Sequence, residues 1–157
     1  MSEPDDVNLD LLKAPLPPRD SNGFEQLRFQ LLGYATALAV LVTLTPTWLI
    51  REYSRDSLRI YSGFSMTRDA ELLGSAANWL FIAYALLVLV ALAMPTTVAS
   101  FVCAYLGLAD TIVIVLLKPD SSEYSEYGWT GAPVLAIGLW LVLGVLNTIG
   151  WYLKRRT

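Results

Sequence analysis

Four apolar runs separated by polar connections give this chain its rhythm. They cover Phe29–Ile50, Ala76–Met94, Pro95–Leu117 and Gly131–Leu153, each close to the roughly 20 residues with which a helix crosses about 30 Å of hydrocarbon. Periodicity inside them decides little, because a helix apolar on every side looks the same in lipid as in a protein core. Length predicts four membrane-spanning helices, over residues 28–50, 76–94, 95–117 and 131–153. The fold class expected is an all-α integral membrane protein, an antiparallel four-helix bundle. Asn22-Gly-Phe-Glu25 has capping-box spacing and marks the start of the first helix. Pro46, flanked by Thr43, Thr45 and Thr47, is expected to kink that helix near its far end. Met94-Pro95 marks a very tight reversal between the second and third.

The polar connections carry the remaining information. Residues 1–21 contain Pro4, Pro15, Pro17 and Pro18 and read as a disordered cytoplasmic tail. Within it Val7–Leu12 alternates apolar and acidic residues, which suits either a short adhesive segment for a partner or plain solvated chain. The longest connection, 51–75, interleaves Arg51, Arg55, Arg59 and Arg68 with Glu52, Asp56, Asp69 and Glu71. There Leu58–Tyr61 and Phe64–Met66 flank Ser62-Gly63, the pattern of a small β-hairpin, although an interfacial helix fits the same residues. Residues 118–130 form an acidic, Tyr- and Trp-rich loop.

Composition agrees with the membrane reading and narrows the chemistry. The 157 residues are 55% hydrophobic and 16% charged, with a mean hydropathy of +0.49; a soluble domain carries about a quarter charged residues. There is no His and a single Cys, Cys103, inside the third run. Histidine-based triads, histidine-ligated metals, CxxC redox pairs and an intrachain disulfide are thereby excluded, and no cofactor is expected. A net charge of −3 and no basic cluster longer than Lys154-Arg155-Arg156 argue against nucleic acid as a partner. The acidic start MSEPDD differs from the basic region of a secretory signal. Lys154-Arg155-Arg156 at the end of the fourth run places both termini on the cytoplasmic side of the plasma membrane. Trp48, Trp79, Tyr124, Tyr127 and Trp129 would then form the outer aromatic belt, and Trp151 and Tyr152 the inner one.

Asp110 is the one charged side chain inside a long apolar run. An acid in hydrocarbon must face protein or water and is a functional-site hypothesis by default. No Lys or Arg lies in any run to neutralise it, so a neutral acid is expected. Helical rise puts Asp110 about 22 Å beyond Pro95, at the depth of Thr43, Thr45 and Tyr84, its expected hydrogen-bond partners. Ala99, Cys103, Gly107 and Thr111 recur every four residues, a stripe of small side chains expected to pack against a neighbouring helix. Asn147 falls at a different depth from Asp110, so no continuous polar path is expected.

One acid, no repeat and no converging polar groups speak against a transporter acting alone. The four-run layout with a hairpin in the first outer loop resembles the claudin-type outline, although the paired loop cysteines of that family are absent. The layout with an extended Pro-containing tail is also similar to small accessory subunits of actinobacterial membrane complexes, such as the cytochrome bc–oxidase respiratory supercomplex or lipid-import complexes. That resemblance implies a non-catalytic accessory subunit whose partners are membrane lipids and larger membrane-protein subunits. The alternative is a small oligomeric transporter or lipid-transport accessory protein using Asp110.

Overall fold

The computed structural model describes residues 21–53, 57–66, 75–118 and 125–156. Helix α1 covers Ser21–Val42 and ends four residues short of Pro46. Proline has no N–H to donate, and its ring disfavours helical backbone at the residue before it. The hydroxyls of Thr43 and Thr45 turn back onto the carbonyls of Val40 (2.6 Å) and Val42 (2.8 Å), satisfying acceptors that the broken helix leaves open. Beyond the proline, TWLIREY is β-branched and aromatic and becomes strand β1, Thr47–Tyr53.

Strand β1 is the centre of a three-stranded antiparallel sheet of order β2-β1-β3, with β2 at Ser57–Ser62 and β3 at Ser125–Trp129. Arg51 stands opposite Arg59 on one side and Tyr127 on the other. A one-turn helix α2, Gly63–Met66, follows β2. It folds back on the α1–β1 joint, where the Phe64 N–H donates to the Leu44 carbonyl over 3.3 Å. A Cβ at Gly63 would lie 2.8 Å from Leu44 Cδ2 and 3.0 Å from its Cα, so this approach requires glycine.

The remaining helices are α3 (Ser75–Ala93), α4 (Val98–Leu116) and α5 (Ala132–Arg156). Packing contacts run α1 to α3, α3 to α4, α4 to α5 and α5 back to α1. The sheet lies where α1 and α4 end and α3 and α5 begin. Thr130 ties sheet to helix: its N–H donates to the Trp48 carbonyl at 2.9 Å, its hydroxyl to the Thr47 carbonyl, and its Oγ1 accepts from the Ala132 N–H at 3.2 Å at the start of α5.

At the opposite end the α3–α4 reversal is pinned from α5. Thr96 adopts φ 60, a left-handed conformation uncommon for a β-branched residue. Asn147, fully buried, holds it there: its Oδ1 accepts from the Thr96 N–H (3.3 Å) and its Nδ2 donates to Ser100 Oγ (2.7 Å). Thr97 caps α4, accepting from the Ser100 N–H at 3.2 Å.

An all-α bundle of four spans does not form. Among the described residues, two helices are long and apolar enough to cross a membrane, α4 over Val98–Leu116 and α5 over Ala132–Arg155. The run expected as a span over 28–50 is divided by Pro46 into helix and strand, and the polar residues Glu25, Gln26 and Arg28 begin its helical part. From Phe29 to Val42 it rises only about 21 Å. Of the run expected over 76–94, the described residues give an apolar helix over Asn78–Ala93, about 24 Å long. The hairpin is real but shifted: β2 pairs backward with β1, and Phe64–Met66, expected as its second strand, is helical. The acidic aromatic loop contributes the third strand. Tail residues 1–20, the Asn22 capping role, Arg55, Asp56, Arg68, Asp69, Glu71 and Tyr124 lie outside the described residues.

Replacing Asn147 with Ala leaves two buried groups of the α3–α4 turn without their partner. Each unsatisfied buried group costs about 1–3 kcal/mol, so a clear fall in the thermal unfolding midpoint in mild detergent is expected. An unchanged midpoint would show that the turn holds its shape without α5.

Candidate functional site

The polar and aromatic groups inside the helical body gather below the sheet. Trp48, the second residue of β1, turns into the body and is fully buried; its Nε1 donates to the Thr43 carbonyl at 2.5 Å. Its ring meets Phe81 edge-on at 5.3 Å and Tyr84 at 5.9 Å, and Tyr84 in turn meets Trp140 at 5.4 Å, all near-perpendicular pairs. Each such contact contributes about 0.5–1.5 kcal/mol beyond area burial. Trp140 reaches this position because α4 offers Gly107 opposite it. A Cβ there would lie 2.4–2.6 Å from the indole atoms Cζ2, Cε2 and Cη2.

Of the residues expected at one depth, Thr43 and Tyr84 meet. Their hydroxyls share a hydrogen bond of 2.8 Å, and the Tyr84 hydroxyl is also 3.2 Å from the Val40 carbonyl. Thr45 is elsewhere, exposed and donating to Val42. Asp110, expected to bond to these residues, stands half-buried on α4. Its Oδ2 is nevertheless buried without a hydrogen-bond partner, and so is Nε1 of Trp140.

The small-residue stripe is rotated from its expected position. The buried face of α4 is Ser100, Ala104, Gly107, Thr111 and Ile114. Gly107 and Thr111 belong to it, Cys103 sits at its margin and Ala99 is exposed. Thr111 donates its hydroxyl to the Gly107 carbonyl at 2.7 Å and so brings no polar need to the interface. Asn147 is committed to the α3–α4 turn at the other end of the body, separate from Asp110.

Trp48 and Trp140, the second of which no sequence pattern singles out, are the centre of the site. Trp48 was expected in an aromatic belt but is buried, whereas Trp79 is 69% exposed. The available signal for Trp140 was a large ring on α5 facing a glycine on α4, a pairing visible only once the two helices are placed side by side. In the sheet, the Arg51 guanidinium lies over the rings of Tyr53 (4.5 Å) and Tyr127 (5.1 Å), a cation–π arrangement. Trp129 donates from Nε1 to the Val115 carbonyl at 3.2 Å and thereby covers the end of α4.

Among the described residues, no group of three His, Cys, Asp or Glu side chains is placed to hold a metal ion. No protein-family model, no characterised protein and no solved structure matches this chain.

Two substitutions separate the two kinds of contact at this site. Tyr84→Phe keeps the ring stack and removes the bond to Thr43, so a loss of about 1 kcal/mol is expected. Gly107→Ala drives a methyl into the Trp140 ring and should cost about 1–3 kcal/mol through overpacking. Denaturation midpoints in detergent check both, and a Gly107→Ala protein as stable as the parent would contradict the close approach of α4 and α5.

Proposed function

We propose that this chain is a membrane-embedded, non-catalytic accessory subunit of a larger membrane-protein complex. The outer surface of its helices is the observation that carries the reading. Leu31, Leu38 and Val42 on α1, Leu86 and Leu89 on α3, Val102, Leu106 and Leu116 on α4, and Val134, Leu141 and Val145 on α5 are all exposed. Soluble monomers rarely expose apolar patches beyond a few hundred Å², so a surface of this kind needs lipid or another protein against it. In this reading α4 and α5 cross the plasma membrane. Helices α1 and α3 pack on them and turn their own apolar faces to lipid or to neighbouring subunits. An apolar groove lined by Leu44, Phe64, Phe81, Ile82 and Leu86 opens on that surface.

The accessory role is supported by what fills the interior. The buried space is occupied by packed aromatic and aliphatic side chains, and the two polar centres, at Asp110 and at Asn147, serve opposite ends of the body. The C-terminal end of α5, with Lys154 and Arg155, is placed on the cytoplasmic side together with the start of α1. The sheet then projects on the outer side as a contact surface for the larger subunits. The partner in this reading is a larger membrane assembly, such as one of the respiratory supercomplex kind.

Purification from native membranes tests this. The chain should resist alkaline extraction and should bring larger membrane subunits with it in fixed stoichiometry in mild detergent. Recovery in the soluble fraction would sink the membrane reading. Recovery as a self-complex, with flux lost on Asp110→Asn, would replace the accessory role by transport.

A further inference from the structure

At the end of the body opposite the sheet, the start of α4 and the end of α5 enclose an apolar crevice with a cation at its edge. About 90 Å³ opens between Val98 and Phe101, one turn apart on α4, and Trp151 of α5. Both walls are fixed. Asn147, one turn before Trp151, bonds to the Thr96 N–H and to Ser100 Oγ, and Gly150 packs so closely on the α3–α4 turn that a Cβ there would lie 2.8 Å from Thr96 Cγ2. The Phe101 ring leans on that of Tyr105, with 4.8 Å between centroids.

The cation is Arg155, one turn beyond Trp151 on the same side of α5. Its guanidinium lies over the indole, 4.0 Å from the ring centroid, so one ring both walls the crevice and carries the charge. From the crevice an apolar strip runs along α4: Val98, Val102 and Leu106 recur every four residues and are all exposed. An occupant must therefore offer hydrocarbon to the crevice and the strip, and negative charge to Arg155. An inorganic anion meets only the second need. A zwitterionic lipid brings a cation of its own beside the guanidinium. An anionic phospholipid meets both needs, and basic pockets between membrane helices on the cytoplasmic side suit such headgroups.

We propose that the crevice of Val98, Phe101 and Trp151 binds one anionic phospholipid of the cytoplasmic leaflet, with its phosphate on Arg155. The inference rests on the membrane reading above. The crevice has room for about three waters' worth of liquid volume, so it takes the first few carbons of one chain, and the rest of that chain follows Val102 and Leu106 along α4. The lipid thereby seals the joint between α4 and α5 at the end opposite the sheet.

Native mass spectrometry of the full-length protein, released from micelles holding equal amounts of dioleoyl phosphatidylglycerol and dioleoyl phosphatidylcholine, provides the test. The parent should carry one phosphatidylglycerol, favoured about fivefold over phosphatidylcholine, the factor expected of one basic side chain at an anionic headgroup. Arg155→Gln should bring the two lipids to parity, whereas Lys154→Gln, which removes a neighbouring charge of the same sign, should leave the preference unchanged. Val98→Phe, which fills the crevice and keeps both charges, should lower the fraction of protein carrying either lipid. Millimolar inorganic phosphate should not displace the lipid. Parity in the parent, a preference that survives Arg155→Gln or falls equally in Lys154→Gln, parental occupancy in Val98→Phe, or displacement by phosphate would each overturn the proposal. Parity in a chain that resists alkaline extraction would remove the lipid site alone, and a chain found in the soluble fraction would remove the membrane reading with it.

Discussion

Trp48 stands where three parts of the chain converge, and the arrangement of the others follows from burying it. The residue comes just after the break at Pro46, and its indole donates to the carbonyl of Thr43 on the other side of that break. The sharp change from helix to strand is thereby fixed by a bond across it. Its ring then occupies the space beside Phe81 and Tyr84 of α3, so that the sheet cannot move without opening the helical body. Tyr84 passes the contact to Trp140 and Trp140 to Gly107, which sets how closely α4 and α5 approach. One aromatic chain thus connects the sheet to all four long helices.

A second requirement shapes the same interior. Where the outer surface is apolar, polar groups find partners within the chain or go without. Thr43, Thr45, Thr111 and Thr148 bond to carbonyls three or four residues earlier in their own segments. Asn147 instead spends both ends of its amide on the α3–α4 turn, holding Thr96 in a backbone conformation that it would not adopt unaided. Among the described residues, Arg51 Nε, Asn78 Oδ1, Asp110 Oδ2 and Trp140 Nε1 are the buried side-chain atoms left without a hydrogen-bond partner.

Much of the helical framework was legible from apolar runs alone. The limits of α4 and α5 fall within three residues of those runs, and Met94-Pro95 lies at the observed reversal. Strand β2 was legible in Leu58–Tyr61, whereas β1 and β3 were hidden for a physical reason. Thr47–Ile50 is as apolar as the helix before it, so hydropathy carries no boundary there, and only Pro46 and the β-branched and aromatic content reveal that the segment becomes a strand. The pairing of β1 with β3 joins residues far apart in the chain, and local sequence does not encode such a partner. Helical rise placed Thr43 and Tyr84 at one depth as partners of Asp110; their hydroxyls bond to each other instead, and Asp110 Oδ2 has no partner. The burial of Trp48 and Trp140 was not legible, since an isolated tryptophan suits a membrane boundary as well as a core.

In the proposed arrangement the helical body lies in lipid with the sheet outside it. Spin labels introduced one at a time at Leu86, Val102 and Leu141, and at Leu58 and Glu126 of the sheet, in a protein carrying Cys103→Ala and reconstituted in bilayers, measure this directly. Labels on the helices should collide with dissolved oxygen and be shielded from a water-soluble nickel chelate, and labels on the sheet should show the reverse. Nickel access at the helix positions equal to that at Leu58 would contradict the account.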